Sequence, residues 1–335
     1  MKNADDLAMN ANYIDPSPFL NGIVFTRGDA DGFYWPLRIT AAQLECYRGI
    51  PRCCYPYAPA GVRFEFTTDA PSVSFDYRTR TFWTWWKDAD PTFDFYVDGH
   101  LRTIAKVEAS EGDGFRTAAF GCPADGRRHL VTIWFPCNVE LLVRVRGGAF
   151  GDAAPVHGRA RRFLIYGDSI SQGLMGNTAS QNYACILARF FDADLLNESL
   201  GGDAYDVTAL DAGLGYDPTD VIVALGTNDV CFFKDHDMIT AAMKPYLAKI
   251  AEMYPDADVT VISPPWMTTW DTTGAEAYRE MQAFTVEIRA EAARHGFRFL
   301  TGDELIPHDA RFFSDELHPN DLGFAHYALN LIRQL

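Results

Sequence analysis

Residues 163–171 have the sequence FLIYGDSIS, a short apolar run that leads into small and polar residues. Four further apolar runs follow at 193–197, 220–225, 259–263 and 297–300. Segments with helical periodicity lie among them, at 183–191, 204–212, 239–254, 275–295 and 321–335. Such alternation predicts a parallel sheet covered by helices on both faces, with the ligand at the carboxyl ends of the strands.

Residues 61 to about 146 have a different pattern. Apolar and polar residues alternate with period two, as at Val62, Phe64 and Phe66, and turn signals such as Asp98-Gly99 separate the runs. This pattern predicts an antiparallel, all-β sandwich that is jelly-roll-like. Residues 147–162 are rich in Gly and Ala and lack periodicity, as a linker does. We therefore predict an N-terminal β-sandwich domain at 1–155 and an α/β domain at 156–335.

Composition excludes several classes of function. The net charge of -16 opposes binding to nucleic acid or to anionic membranes. No apolar run reaches the roughly 18 residues of a membrane span, and the first residues, MKNADDLAMNANYIDPS, lack the apolar stretch of a signal peptide. The 7 cysteines are odd in number and without C-x-x-C spacing, which fits reduced thiols. The expected location is cytoplasmic, and the oligomeric state stays open.

Ser169 has the position of a nucleophile, because it follows the first strand directly at the carboxyl edge of the sheet. A serine hydroxyl needs a base to take its proton and a group to orient that base. Asp315 and His318 are three residues apart and can face the same way on one turn. The remaining histidines lack metal-ligand spacing such as H-E-x-x-H, so we expect no metal.

A tetrahedral intermediate also needs fixed hydrogen-bond donors for its oxyanion. The backbone N–H of Ser169, a glycine N–H and a side-chain amide can supply them. Residues 197–202 (NESLGG), after the second strand, and 226–229 (GTND), after the third, contain such groups.

These four blocks, in this order, resemble those of the SGNH hydrolases, also called the GDSL esterase and lipase superfamily, in a two-domain type with an N-terminal β-sandwich. The resemblance covers residues 163–335 and implies a flavodoxin-like three-layer fold. It implies that Ser169 is the nucleophile, that Ser169, Gly202 and Asn228 form the oxyanion hole, and that the D-x-x-H pair falls on Asp315 and His318.

The chain departs from the family pattern in two places. Ile170 stands where the GDSL motif, which gives the family its name, has leucine. This change conserves volume and should leave the serine in place. Gly201 and Gly202 are adjacent, so a shift of one residue would make Gly201 the donor.

The resemblance implies a serine esterase that hydrolyses carboxylic esters through an acyl-enzyme on Ser169 and requires no cofactor. The favoured substrates are short-chain, acetyl esters of carbohydrates or glycosides. Two alternatives remain open: an acyltransferase that uses the same triad, and a non-catalytic carbohydrate-binding protein. The intact set of Ser169, His318, Asp315 and Asn228 argues against the latter.

Tryptophans are candidates for contacts with the substrate, because aromatic rings stack on sugars and aromatic ligands. Trp266 and Trp270 follow the fourth strand, where a wall of the site is expected. Trp86 belongs to residues 81–87 (TFWTWWK) of the N-terminal domain. That segment can instead be a hydrophobic strand or part of an interdomain seam.

Overall fold

The computed structural model describes residues 12–48, 56–82, 90–112, 114–233, 235–271 and 275–335. The chain groups into two compact units. The first comprises the described parts of Met1–Arg38 and Tyr57–Gly158, with Thr178–Ser180; the second comprises those of Ile39–Pro56, Arg159–Asn177 and Gln181–Leu335. The segment Ile39–Pro56, which the predicted boundary assigns to the N-terminal domain, therefore groups with the second unit.

The first unit is built from two antiparallel sheets. Its strands are β1 Tyr13–Ile14, β2 Leu20–Asn21, β3 Phe25–Gly28, β4 Tyr34–Leu37, β5 Arg63–Thr68, β6 Ser72–Phe82, β7 Thr92–Val97, β8 His100–Lys106, β9 Arg116–Gly121, β10 His129–Trp134, β11 Val139–Arg146 and β12 Ala154–Pro155. One sheet has the order β3-β4-β11-β6-β9, with β1 paired to β11. The other has the order β12-β5-β10-β7-β8, with β2 paired to β5.

Both sheets bury side chains in one core, which the period-two pattern predicts. Phe64 of β5 and Phe75 of β6 belong to different sheets, and their ring centroids lie 5.2 Å apart in an edge-to-face contact. Phe93 of β7 packs on Phe75 at 5.1 Å in the same manner. Edge-to-face rings at this separation add to the stabilisation from burial. The prediction of an N-terminal unit rich in antiparallel sheet is therefore correct.

His129, at the start of β10, joins two turns of the first unit. Its Nδ1 lies 2.6 Å from Asp98 Oδ2 and its Nε2 lies 2.9 Å from Asp125 Oδ1. These two hydrogen bonds raise the pKa of His129, and the bond from His129 lowers the pKa of Asp98. Two carboxylate partners require both ring nitrogens to donate, so the geometry favours the charged imidazolium.

The second unit contains a five-stranded parallel sheet. Its strands are β13 Arg162–Gly167, β14 Asp194–Asn197, β15 Asp220–Ala224, β16 Asp258–Ile262 and β17 Arg298–Leu300. They lie in the order β14-β13-β15-β16-β17. This is the flavodoxin-like order, whose crevice for a ligand opens between β13 and β15 at their carboxyl ends. All five strands match the predicted apolar runs to within one or two residues.

The helices of the second unit include four of the five that periodicity predicts. The α-helices are α1 Ala41–Arg48, α2 Ser169–Gln172, α3 Tyr183–Phe190, α4 His236–Met253, α5 Ala275–Arg294 and α6 Asp321–Ile332. Among the described helices, none is long and apolar enough to cross a membrane.

The predicted helix at 204–212 is wrong, since only Val207–Ala209 form a short 3-10 turn there. Aspartate side chains accept hydrogen bonds from the local backbone: Asp206 from the Thr208 N–H at 3.0 Å, and Asp211 from the Gly213 N–H at 2.8 Å. Such bonds compete with the helical ladder and favour turns. Apolar periodicity alone predicts a helix here, because it does not register hydrogen bonds from the backbone to aspartate side chains.

Candidate active site

The turn from β13 into α2 sets the position of Ser169. Asp168 is the N-cap of α2, and its Oδ1 accepts a hydrogen bond from the Ile170 N–H at 3.0 Å. Glycine is favoured at position 167, because a Cβ there would clash with the Ser171 side chain. The turn therefore places the Ser169 side chain at the carboxyl end of β13.

Asp168 is buried directly beside this serine. Burial raises the pKa of Asp168 to about 6, against the opposing effects of the Ile170 N–H and of His318. The Asp168 carboxyl group thus caps the helix from a buried position, where its charged form is disfavoured.

His318 contacts both of its predicted partners. Its Nε2 lies 2.9 Å from Ser169 Oγ, and its Nδ1 lies 2.8 Å from Asp315 Oδ2. Ser169 and His318 are 6% and 5% exposed, so bulk water competes little for these bonds. If Nδ1–H donates to Asp315, Nε2 is left as the acceptor for the serine proton.

Asp315 orients the histidine through its backbone as well as its ring. Asp315 Oδ1 accepts from the N–H groups of Leu317 at 2.8 Å and of His318 at 2.6 Å, so the D-x-x-H sequence closes a tight turn. Burial raises the pKa of Asp315, but the hydrogen bonds and charge of His318, with the Leu317 N–H, outweigh it and lower the pKa to about 2. Asp315 is therefore an anion at neutral pH.

The candidate glycines of the oxyanion hole lie in a turn after β14. The Asp203 N–H donates to the Leu200 carbonyl at 3.0 Å, and Gly202 has φ of 82°. A positive φ at the third residue of a turn is typical of type II turns and favours glycine. The Gly201 N–H donates to Gln172 Oε1 at 2.7 Å, so Gly201 would have to give up this bond to act as the oxyanion donor.

Asn228, the third candidate donor, follows β15. Its Nδ2 donates to the Asp203 carbonyl at 2.7 Å, which fixes the orientation of the amide. An amide nitrogen carries two hydrogens, so one N–H serves this bond and the second can serve an oxyanion. A π-helix, Asp229–Phe233, begins at the next residue, and such irregular helices often occur at functional sites.

Helix α1 also contacts the loops of this site, which the sequence analysis missed. Thr40-Ala41-Ala42-Gln43 forms a capping box: Thr40 Oγ1 accepts from the Gln43 N–H at 3.1 Å, and Gln43 Oε1 accepts from the Thr40 N–H at 2.7 Å. Gln43 Nε2 donates to Glu198 Oε2 at 2.8 Å. The capping-box spacing was the sequence signal that could have identified this helix.

The structure describes the predicted substrate-binding tryptophans only in part. Trp266 is 4% exposed, and its ring stacks on His308 at 5.0 Å. The backbone of Trp270 lies in the 3-10 turn Thr268–Asp271, and its side chain lies outside what the structure describes. Trp86 lies outside the described residues. Their roles in substrate binding stay predictions.

Within the described ranges, no group of three or more His, Cys, Asp or Glu side chains is arranged to hold a metal ion.

Comparison with known proteins identifies the second unit. Residues 165–326 match the sequence model of the GDSL-like lipase/acylhydrolase family. The match begins in β13 and includes Ser169, Asn228, Asp315 and His318. No curated protein sequence matches the chain.

Three solved structures resemble the chain over most of its length. The salicylyl-acyltransferase SsfX3 of a tetracycline biosynthetic pathway has 21% identity and a TM-score of 0.76, over 96% of this chain and 95% of that chain. A GDSL-like lipase described from Bacteroides ovatus has 18% identity and a TM-score of 0.73, over 96% of each chain. A family two carbohydrate esterase from Clostridium thermocellum, in complex with cellohexaose, has 19% identity and a TM-score of 0.61, over 84% of this chain and 96% of that chain. At such identities the likeness establishes the fold.

Proposed function

Residues 165–326 form a domain of the GDSL-like lipase/acylhydrolase family, which supports a serine ester hydrolase, and from this premise we propose that the chain cleaves short-chain carboxylic esters through an acyl-enzyme on Ser169. The observation that carries this proposal is the contact of 2.9 Å between Ser169 Oγ and His318 Nε2. That contact gives the hydroxyl a base within hydrogen-bond reach, which a serine needs in order to attack at neutral pH.

In the proposed reaction, Ser169 Oγ attacks the ester carbonyl while His318 Nε2 takes the hydroxyl proton. The anionic Asp315 stabilises the imidazolium that forms. The carbonyl oxygen becomes an oxyanion that accepts hydrogen bonds from the backbone of Ser169 and Gly202 and from Asn228. His318 then gives its proton to the leaving alcohol, and water activated by the same imidazole hydrolyses the acyl-enzyme.

For the substrate, we propose acetyl or other short-chain esters of carbohydrates or glycosides. The support for a sugar is the fold that the chain shares with family two carbohydrate esterases, including one in complex with cellohexaose. The experiment below therefore varies the alcohol portion of the ester.

Transfer of the acyl group to an alcohol is the second candidate function. It uses the same acyl-enzyme and differs only in what accepts the acyl group. The likeness to SsfX3, a salicylyl-acyltransferase, over 96% of this chain is the observation that favours it. We also propose that the N-terminal domain is a jelly-roll-like sandwich and that the boundary between the two domains lies between residues 155 and 156.

The test is hydrolysis of p-nitrophenyl esters of increasing acyl length and of acetylated sugars by the purified protein, with and without an added alcohol. We expect acetyl esters to be cleaved fastest, and Ser169→Ala to lose at least ~10³-fold in kcat together with labelling by a fluorophosphonate. Activity of Ser169→Ala within tenfold of the wild type would refute the mechanism. Acyl product on the added alcohol, in place of free acid, would establish the transferase.

A further inference from the structure

Helix α1 makes a row of polar contacts with residues 198–211. In addition to the hydrogen bond from Gln43 to Glu198, Thr40 Oγ1 donates to Asp211 Oδ2 at 2.6 Å. The Tyr47 hydroxyl donates to Asp203 Oδ2 at 3.0 Å. Tyr47 and Asp203 are both buried, at 6% and 5% exposed, so this is a hydrogen bond to a carboxylate in a region poor in water. Such bonds are stronger than those between neutral groups.

Two of the candidate oxyanion donors, Gly202 and Asn228, are connected to Tyr47 through Asp203. Its carbonyl accepts the hydrogen bond from Asn228 Nδ2 at 2.7 Å. Its N–H closes the turn on Leu200 that places Gly202. Of its two carboxylate oxygens, Oδ1 accepts from the Ala204 N–H at 3.0 Å and Oδ2 accepts from the Tyr47 hydroxyl. A displacement of Asp203 therefore moves the Asn228 amide and the Gly202 turn together.

We propose that Tyr47 is a positioning residue of the oxyanion hole, acting through Asp203 on Asn228 and Gly202. This inference rests on the proposed function of the site. Tyr47 lies outside residues 165–326, so the family match does not assign it. The residue touches no reacting atom: it fixes a carboxylate whose backbone holds the amide that stabilises the transition state.

The capping box explains how α1 can perform this role. Thr40 and Gln43 satisfy each other's backbone N–H groups, and their side chains also hold Asp211 and Glu198. One turn further along the helix, the Tyr47 hydroxyl reaches Asp203. The start of the helix is anchored at two points, so the hydroxyl is presented in one place without the entropy loss of ordering a free segment.

The test compares Tyr47→Phe with the wild type on p-nitrophenyl acetate, with kcat referred to active sites titrated by a fluorophosphonate. We expect kcat to fall about tenfold with KM within about twofold, because the oxyanion forms only in the transition state. Tyr278→Phe is the matched control, since Tyr278 also donates to a carboxylate, Asp303, at 2.7 Å. We expect it to retain kcat within about twofold.

A double-mutant cycle separates positioning from a general loss of structure. Asn228→Ala alone should lower kcat by ~10²-fold, and adding Tyr47→Phe should then cost less than about threefold, since only the part of its effect that passes through the Gly202 turn remains. Active-site titration removes any unfolded fraction from the comparison. An unchanged kcat, a change in KM alone, or a full tenfold loss in the Asn228→Ala background would each overturn the proposal.

The same assay distinguishes failure of the Tyr47 proposal from failure of the proposed function. A wild-type protein that cleaves the ester, with a silent Tyr47→Phe, overturns the role of Tyr47 alone. A wild-type protein that cleaves no ester and takes up no fluorophosphonate on Ser169 overturns the proposed function, and the role of Tyr47 with it.

Discussion

Replacement of Gly167 by alanine tests whether the turn from β13 into α2 sets the activity. A Cβ at this position would lie 2.4 Å from Ser171 Oγ, 2.5 Å from Ser171 Cβ and 3.0 Å from the Ala224 carbonyl oxygen. Ordinary contacts are about 3.5–4.0 Å, so the neighbours must move by about 1 Å. Ser171 cannot turn away freely, because it is buried and its Oγ is hydrogen-bonded to the Tyr183 hydroxyl at 2.7 Å.

The strain must therefore open the turn that carries Ser169. A displacement of about 1 Å in a catalytic group costs ~10²-fold in rate, and overpacking of a core costs about 1–3 kcal/mol. For Gly167→Ala we expect kcat on p-nitrophenyl acetate to fall by ~10²-fold and the melting temperature to fall by several degrees. The assays are steady-state kinetics with active-site titration, and thermal unfolding followed by circular dichroism.

Two further variants make this prediction specific. Gly121→Ala is the matched control, because nothing lies within 4 Å of a Cβ there, and both quantities should stay close to wild type. Adding Ser171→Gly to Gly167→Ala removes the two shortest contacts and should recover about tenfold in kcat. The reasoning is wrong if Gly167→Ala keeps kcat within twofold and the same melting temperature, or if Ser171→Gly restores nothing.

Two other predictions follow from the hydrogen bonds described above. We expect His318→Ala to lower kcat almost as far as Ser169→Ala, and Asp315→Asn to lower it less; a harmless Asp315→Asn would replace the triad by a dyad. His129→Gln should destabilise the protein most between about pH 4 and 6.5, where its raised pKa keeps it charged and the carboxylates are ionised in both states. The stability that it contributes is lost as the pH rises through the pKa of the folded state. Urea unfolding at a series of pH values measures this, and a difference from wild type that grows above pH 8 would contradict it.

The parts of the site that sequence could predict are those encoded locally. An apolar run followed by Gly167-Asp168-Ser169 specifies a strand, a tight turn and a capped helix within nine residues. Asp315 and His318 meet through a turn that their own spacing closes. These two segments are far apart in the chain, with 149 positions between Ser169 and His318, and the structure places Ser169 Oγ 2.9 Å from His318 Nε2.

The parts that sequence missed depend on partners far along the chain. Tyr47 and Asp203 are 156 residues apart, and nothing in the local pattern around either residue indicates the other. The helix predicted at 204–212 is wrong for a local reason: the periodicity is helical, but the Asp206 and Asp211 side chains accept hydrogen bonds from the nearby backbone. For the tryptophans, sequence position near a strand end does not decide between a wall of the site and the core, so the role of Trp266 in substrate binding stays a prediction.

The membership of α1 in the second unit bears on how this protein can be cut and how it folds. A fragment starting at residue 156 would keep every residue of the triad but lack Gln43, Tyr47 and Thr40, which donate to Glu198, Asp203 and Asp211. Glu198 and Asp203 are buried, and the loss of a hydrogen-bond donor to a buried carboxylate is costly. Closing contacts over more than 150 residues is also slow compared with local pairing. We therefore expect the triad to assemble before the loops around the oxyanion hole settle, and active fragments to require residues 39–56, supplied in the same chain or as a separate peptide.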